Sequence, residues 1–188
     1  PGYGDICAKE DYESAVKRTP ESEFRTKRCN QWVSSAEAWL PAGSWNECAG
    51  DFVITSDNKI VLGVDGSFSG DSTVVVGCTI PEGDELPKVF LVKAWEKDLD
   101  HDGDDWRVDI ADVEATIVEF CQEYPNVQEI VFDPFRWART MQTLEDQGFP
   151  IVEYPQSPSR MIKACHTLFD GVVERRLVHD GNPTLARH

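Results

Sequence analysis

Two aspartates in this sequence each end an apolar run and stand next to a turn residue. Asp65 ends the run KIVLGVD just before a glycine, and Asp133 ends VQEIVFD just before a proline. If the two runs form neighbouring strands, both carboxylates lie at one edge of the sheet, where their like charges repel. A divalent cation relieves that repulsion, and Mg²⁺ and Mn²⁺ prefer carboxylate oxygens. The pattern therefore predicts a metal site at Asp65 and Asp133.

A third acid is predicted to join this pair. Asp71 lies beyond Asp65 across the turn SFSG, and we expect it to return to the same edge as a ligand or as a group that orients a coordinated water. Two cations ~4 Å apart would activate a water and stabilise the leaving oxygen in phosphodiester cleavage. An aspartate at a strand end is also a common turn or helix cap. The prediction therefore depends on the pairing of Asp65 with Asp133.

The elements that must position these residues lie within 58–188. Three runs rich in β-branched residues within 60–96 predict an antiparallel meander. Helical spacing and apolar runs then predict helix 109–124, strand 127–134, helix 135–148, strand 149–155 and helix 158–176. The order β-β-β-α-β-α-β-α predicts an α/β fold, a mixed sheet flanked by helices. It is the order of the ribonuclease H-like fold, which hosts many activities.

Residues 1–57 have a different character. A short amphipathic helix is predicted at 8–18, and a second amphipathic piece, SEFRTKRCNQWVSS, contains Trp32. The loop-like stretch WLPAGSWNECAG with Trp39 and Trp45 follows, and the region shows no strand pattern. We interpret 1–57 as a linker or arm that packs on another surface. The first residue is Pro1, so we expect a processed chain or a fragment. The N-terminus also lacks the basic start and apolar stretch of a secretory signal.

The charge is strongly uneven along the chain. The net charge is −16, yet residues 1–132 hold 11 Lys and Arg against 27 Asp and Glu, whereas residues 133–188 hold seven of each. Because DNA binding rewards the neutralisation of phosphates, a DNA-facing surface is predicted in the C-terminal third or around metal ions. The candidate phosphate contacts are Arg136, Arg139, Arg160 and Lys163, and a solvated helix face is the alternative for each.

Other residues that could bind metals or act in catalysis are predicted to have structural or surface roles. Six cysteines without a CxxC pair indicate reduced, mostly buried thiols rather than a disulfide framework. The acidic loop 98–109 imitates a calcium-binding EF-hand loop, but a strand precedes it and Asp109 replaces the usual glutamate. A solvated acidic turn is the favoured interpretation. The four histidines are interpreted as structural or surface residues, with His179 alone considered for a DNA-facing rim.

The chain resembles the large terminase subunits of tailed phages, particularly those of the actinobacteriophage type. The resemblance covers about residues 58–188 in register, through VLGVDGSFSGDSTVVVG, DDWRVDIADVEATI, VFDPFRWARTMQTLEDQGFPIVEYPQSPSRM and LVHDGNPTLARH. The preceding stretch EFRTKRCNQWVSSAEAWLPAGSW resembles the segment that joins the packaging ATPase to the nuclease in that family.

The resemblance implies a ribonuclease H-like, metal-dependent endonuclease that cuts concatemeric double-stranded DNA during packaging. It implies a two-metal site of Mg²⁺ or Mn²⁺, with Asp65 as the first-strand ligand, Asp71 as the acid shortly after it and Asp133 as the acid of the later strand. The implied partners are DNA, the packaging ATPase domain of the same polypeptide, the portal and the small terminase subunit. The implied location is the host cytoplasm at the procapsid, without a membrane.

Two departures from the family pattern affect these expectations. No GxxxxGK[ST] segment is present, so the ATP-driven motor is not expected in these residues. The family also supplies an acid from a helix beyond HDGNP, which we expect domain 58–188 to lack, with nothing in the sequence to make Asp180 its replacement. Two alternatives stay open. One is a catalytically silent docking module for the packaging motor, and the other is a transposase or resolvase of the same fold.

Overall fold

The computed structural model describes residues 39–66, 72–98, 102–103 and 106–187. The chain divides into the units Pro1–Ala42 and Gly43–His188, and every element below lies in the second. The helix predicted at 8–18, Trp32 and Asp71 lie outside the described residues. The strands are β1 (Ile60–Gly66), β2 (Thr73–Thr79), β3 (Lys88–Trp95), β4 (Val127–Phe132), β5 (Ile151–Glu153) and β6 (Val178–His179). The α-helices are α1 (Ile110–Glu123), α2 (Pro134–Asp146), α3 (Pro158–Val173) and α4 (Pro183–Arg187), and a 3-10 helix spans Asn46–Cys48.

The described strands form one mixed sheet in the order β5-β4-β1-β2-β3-β6. The pairs β1–β2 and β2–β3 are antiparallel, whereas β1–β4, β4–β5 and β3–β6 are parallel. The predicted antiparallel meander followed by alternating helices and strands is confirmed. Strand β1 contains Asp65, strand β4 directly precedes Asp133, and the two strands are direct neighbours.

One face of the sheet carries the main core. Successive residues of a strand point to opposite faces, and the burial of β2 alternates at every residue accordingly. On the buried face, Ile60, Leu62 and Val64 of β1 pack with the apolar sides of α1 and α2. Helix α2 ends next to Gly148, as the sequence predicts. Gly148 (φ 90°) closes a Schellman motif in which Phe149 N donates to Leu144 O.

The opposite face is only loosely covered, by α3. Val172 is its one buried residue, and Ile162 and Leu168 on the same helix are exposed. A right-handed crossover from β5 back to β6 places α3 opposite to α1 and α2. The sparse packing leaves a cavity of about 1020 Å³ between α3 and the sheet, floored by valines and Cys78. A second cavity beside it contains the candidate site.

Three helices begin at the same edge of the sheet. All described strands except β2 run in one direction, so their carboxyl ends lie together. Helices α1, α2 and α3 follow β3, β4 and β5 along the chain, so each starts at that edge. The positive ends of their backbone dipoles therefore face the region of Asp65 and Asp133 and favour an anion there.

The sequence did not predict β6, which is two residues long and was interpreted as part of a tail. Its His179 is 2% exposed and stacks on Trp45, with ring centroids 4.1 Å apart. Gly181 N donates to Nδ1 (3.0 Å), so the ring proton lies on Nε2, which donates to Trp45 O (2.7 Å). His179 is therefore a buried structural residue and not part of a DNA-facing rim.

Polar contacts join β3 to the first turn of α1. Lys93 Nζ (2.7 Å) and Trp95 Nε1 (2.6 Å) both donate to Asp112 Oδ2. The Lys93 ammonium and then the Trp95 indole lower the pKa of this carboxyl, because both hydrogen bonds favour its ionised form. The start of α1, which Asp109 caps through Ala111 N and Asp112 N, is thus fixed against the sheet.

The thiols of the described residues are free, as the sequence predicts for Cys48, Cys78, Cys121 and Cys165. Burial raises the pKa of Cys78 and raises that of Cys121 to about 11, so both stay protonated at neutral pH. Cys7 and Cys29 lie outside the described residues. No helix in the described part of the chain has the length and apolar character needed to cross a bilayer.

Candidate functional site

Asp65 and Asp133 line one cavity at the carboxyl edge of the sheet. The parallel pairing of β1 with β4 ends at Val64 and Phe132, so each aspartate occupies the next position along its strand. Both carboxylates face the α3 side, opposite to the main core. The cavity has a volume of about 300 Å³. Its other lining residues are Gly63, Val64, Val74, Val76, Val131, Phe132, Tyr154, Gln156, Met161 and Ala164.

Each carboxylate keeps an oxygen available beyond its local hydrogen bond. Asp65 Oδ1 accepts from Gly66 N (2.9 Å), and Asp133 Oδ1 accepts from Phe135 N (3.2 Å) as the N-cap of α2. Neither Oδ2 has a recorded hydrogen bond among the described residues. Two carboxylates fit a Mg²⁺-like cation, which keeps several waters and takes one or two carboxylate ligands. No group of three His, Cys, Asp or Glu poised for a metal is found within the described ranges.

Packing around Gly66 ties the two aspartates together. The Trp137 indole is 1% exposed, and its Nε1 donates across to Gly66 O (3.4 Å). A side chain at Gly66 would place its Cβ 2.5 Å from Cα of Thr73 on β2, so only glycine fits there. Trp137 thus links the start of α2 to the end of β1.

The backbone directly after Asp133 departs from the predicted helix. Phe135 (φ −66°, ψ 115°) and Arg136 (φ 75°, ψ −21°) have the angles of a type II turn. The second of these positions favours glycine, since a side chain there contacts the following carbonyl at a cost of roughly 1–2 kcal/mol. Phe135 is 70% exposed, and the Arg136 guanidinium lies 5.2 Å from the centre of its ring. Regular helical packing begins at Trp137.

The strained turn leads to a prediction on stability. We expect the Arg136→Gly protein to be more stable than the Arg136→Ala protein by about 1 kcal/mol, because only glycine adopts φ 75° without strain. Both variants lose the arginine side chain equally, so their difference isolates the backbone. Urea unfolding of both proteins, fitted with a shared m-value, measures it.

A nearby helical position provides the control. Ala138 is exposed within α2, and Ala138→Gly should lower the free energy of unfolding by about 1 kcal/mol, the opposite sign. If the alanine variant at 136 were as stable as the glycine variant, Arg136 would not be held in the left-handed conformation.

The other predicted site residues lie in different surroundings. Arg160 is in the first turn of α3, with its guanidinium 5.3 Å from the ring centre of Tyr154, a residue that lines the carboxylate cavity. Lys163 lines the larger cavity beneath α3, whereas Arg136 and Arg139 line a separate cleft between α1 and α2. The four cations therefore do not form one cluster, although all lie on helices that start at the same edge.

Sequence reasoning did not identify Tyr154 and Gln156 as lining residues of this cavity. Tyr154 directly follows β5, as Asp133 follows β4, and its N donates to Phe132 O (2.7 Å). The same strand-end rule that identified the aspartates would have found it. Its OH donates to Arg160 O (3.3 Å), which fixes the ring beside the start of α3.

Two further acidic segments lie away from this cavity. Asp180 follows β6, which is separated from β1 by β2 and β3, a distance of about 14 Å at the usual strand spacing. Its Oδ1 accepts from Asn182 N (2.9 Å) in a local turn. In the acidic loop, Asp109 caps α1 and Asp102 Oδ2 accepts from Asp98 N (2.7 Å).

Comparison with known proteins gives consistent matches. Residues 91–188 match the family described as "Terminase large subunit, endonuclease domain". The chain is 26% identical to the Gene 13 protein of Mycobacterium phage L5, over 91% of this chain and 31% of that protein. The Gene 13 protein of Mycobacterium phage D29 is also 26% identical, over 89% and 31%. The chain thus spans about a third of the length of these relatives.

Solved structures share the fold. The large terminase of bacteriophage HK97 is similar with a TM-score of 0.65 and 24% identity, over 98% of this chain and 44% of that one. The large terminase nuclease of the thermophilic phage G20c is similar with a TM-score of 0.50 and 16% identity, over 69% and 62%. These likenesses confirm the predicted ribonuclease H-like fold class.

Proposed function

Because the chain belongs to the family of terminase large subunit endonuclease domains, we propose that it is a divalent-metal-dependent endonuclease. Its substrate is concatemeric double-stranded DNA, which it cuts during phage genome packaging. The observation that supports this proposal most is the shared cavity of Asp65 and Asp133, at the ends of two adjacent parallel strands.

In this proposal Asp65 and Asp133 bind Mg²⁺ or Mn²⁺ through their outward oxygens. Asp71 is proposed as the additional acid that a two-metal site requires. The cations supply Lewis acidity and positive charge at the phosphate that is cut. The protein itself fixes the carboxylates: Trp137 and Gly66 hold the two strand ends together, and Phe135 N orients Asp133.

The proposed DNA path follows the carboxyl edge of the sheet. An acidic chain binds a polyanion only where its local charge is reversed. The start of α3, whose cap and first turn hold no acid, and any bound cations provide that reversal at this edge. Arg160 and Lys163 on α3, and Arg136 on α2, are proposed to bind backbone phosphates on either side of the cut.

The partners of the whole protein are also proposals, since the chain spans about a third of its curated relatives. We propose that it works next to a packaging ATPase domain of the same polypeptide, with the portal and the small terminase subunit. The proposed setting is the host cytoplasm at the procapsid. Residues 1–57 are proposed as the arm that precedes the nuclease domain 58–188.

A plasmid assay tests the proposed activity. With supercoiled DNA and millimolar Mn²⁺ or Mg²⁺, the chain should produce nicked and then linear DNA, and EDTA should abolish the reaction because the carboxylates lose their cations. Mn²⁺ should also raise the melting temperature, since a ligand that binds only the folded state stabilises it. A chain that neither cuts DNA nor gains heat stability with either cation would contradict the proposal.

A further inference from the structure

A second concave feature lies between α1 and α2 at the carboxyl edge. This cleft has a volume of about 440 Å³. It is formed by residues 110–114 at the start of α1 and residues 136–143 of α2. Its polar lining consists of Glu114 from α1 and Arg136, Arg139, Thr140 and Thr143 from α2. The cleft is separate from the cavity of the two aspartates, and the turn at 135–136 connects them along the chain.

The charge in this cleft favours an anion. Among the described residues that line the cleft, two guanidinium groups, those of Arg136 and Arg139, outnumber the carboxylate of Glu114. Within the described ranges the Arg139 guanidinium has no ion-pair partner.

The hydroxyl of Thr140 makes no hydrogen bond to the described residues. Thr140 lines the cleft and is 3% exposed. Helical threonines usually donate to the carbonyl four residues earlier, as Thr143 does to Arg139 O (3.0 Å) and Thr167 to Lys163 O (3.0 Å). For Thr140 that residue is Arg136, whose backbone is not helical. The strained turn therefore leaves this hydroxyl available for a ligand.

We propose that the cleft binds a backbone phosphate of the DNA strand, one that flanks the phosphate cut between Asp65 and Asp133. Arg139 pairs with the phosphate charge and Thr140 donates a hydrogen bond to one of its oxygens. The inference rests on the proposed nuclease function, because it concerns the same DNA. It assigns the predicted phosphate contact Arg139 to a defined cleft and adds the hydroxyl of Thr140, which the sequence did not indicate.

DNA binding without metal tests the proposal. Anisotropy of a labelled duplex in EDTA, titrated with KCl, gives the dissociation constant and its salt slope. Arg139→Gln should weaken binding by roughly 3- to 10-fold and reduce the salt slope by about 0.9, since one phosphate contact is lost. Thr140→Val should weaken binding about threefold at an unchanged slope.

Two variants separate this cleft from general charge effects. Arg176→Gln removes one positive charge after the end of α3, at the opposite edge of the sheet, and should leave the slope nearly unchanged. Glu114→Gln should tighten binding about twofold, because it removes a negative charge from the described lining of the cleft. The proposal would be overturned if Arg139→Gln and Arg176→Gln had equal salt slopes of DNA binding. It would also be overturned if Thr140→Val bound the duplex with the wild-type dissociation constant.

The test distinguishes this inference from the proposed function. A wild-type chain that does not bind duplex DNA overturns the inference. A chain that binds with the expected slopes but does not cut with Mn²⁺ supports the cleft and contradicts the nuclease.

Discussion

Replacing Asp65 by Asn should lower Mn²⁺-dependent plasmid cleavage by about 10³-fold or more. The amide is nearly isosteric but carries no charge, so the cation and its contribution of several kcal/mol to the transition state are lost. Asp65 is exposed, and its Oδ1 accepts a local hydrogen bond from Gly66 N. The side-chain oxygen of Asn can accept the same bond. The melting temperature without metal should therefore stay close to wild type, while the stabilisation by Mn²⁺ should disappear.

Asp133 allows the metal role to be separated from the capping role. Asn is as good an N-cap as Asp, so Asp133→Asn should fold normally and lose cleavage to the same extent as Asp65→Asn. Asp133→Ala should lose cleavage and, in addition, about 1 kcal/mol of stability, because Phe135 N loses its acceptor.

The matched control is Asp146→Asn at the end of α2, an exposed acid whose Oδ1 accepts from Gln142 Nε2. It should cut at the wild-type rate. Substantial cleavage by either asparagine variant at 65 or 133 would show that the paired carboxylates are not the metal ligands.

The substitution Gly77→Ala should lower the free energy of unfolding by about 1–3 kcal/mol. Gly77 is buried on β2, and a Cβ there would lie 2.2 Å from Cζ of Phe90 on the neighbouring strand. The Phe90 ring stacks on Phe120 of α1 with centroids 6.1 Å apart, so it has little freedom to move. Urea unfolding of Gly77→Ala measures the effect.

A glycine on the adjacent strand provides the control for a steric cause of the destabilisation. Gly63 pairs with Val76 across β1 and β2, and a Cβ at that position meets no atom within 4 Å. Gly63→Ala should be neutral or stabilising by about 0.5 kcal/mol. The double variant Gly77→Ala, Phe90→Leu should lose less free energy of unfolding than the sum of the losses of the two single variants. If the two losses were strictly additive, the proposed contact would be contradicted.

The part of the fold that the sequence predicts is the part with long regular patterns. Apolar runs gave β1 and β4, and the rule that sites lie at the carboxyl ends of adjacent strands brought Asp65 and Asp133 to one edge. The two-residue strand β6 was not predicted, because a period of two residues cannot be recognised over so short a segment. Its position is fixed by pairing with β3, which is distant in sequence.

The site could be predicted only in part, for a related physical reason. FRWART has good helix formers, and nothing in its composition indicates a left-handed arginine, which the surrounding contacts impose. The α1–α2 cleft arises where residues 110–114 and 136–143 meet, and no local pattern contains that contact. Asp71 stays a prediction, outside the described residues.

The contacts of Trp45 with β6 affect how a recombinant fragment should be designed. Trp45 O accepts the His179 ring proton, Gly50 N donates to His179 O (3.0 Å), and Glu47 pairs with Arg175 (2.6 Å). A fragment cloned from residue 58 onward would lack the Trp45 carbonyl that accepts the His179 N–H, and the His179 ring would be exposed to solvent. Strand β6, at the edge of the sheet, would then fray first. Expression boundaries are therefore best set upstream of Trp45, where truncation leaves these contacts intact.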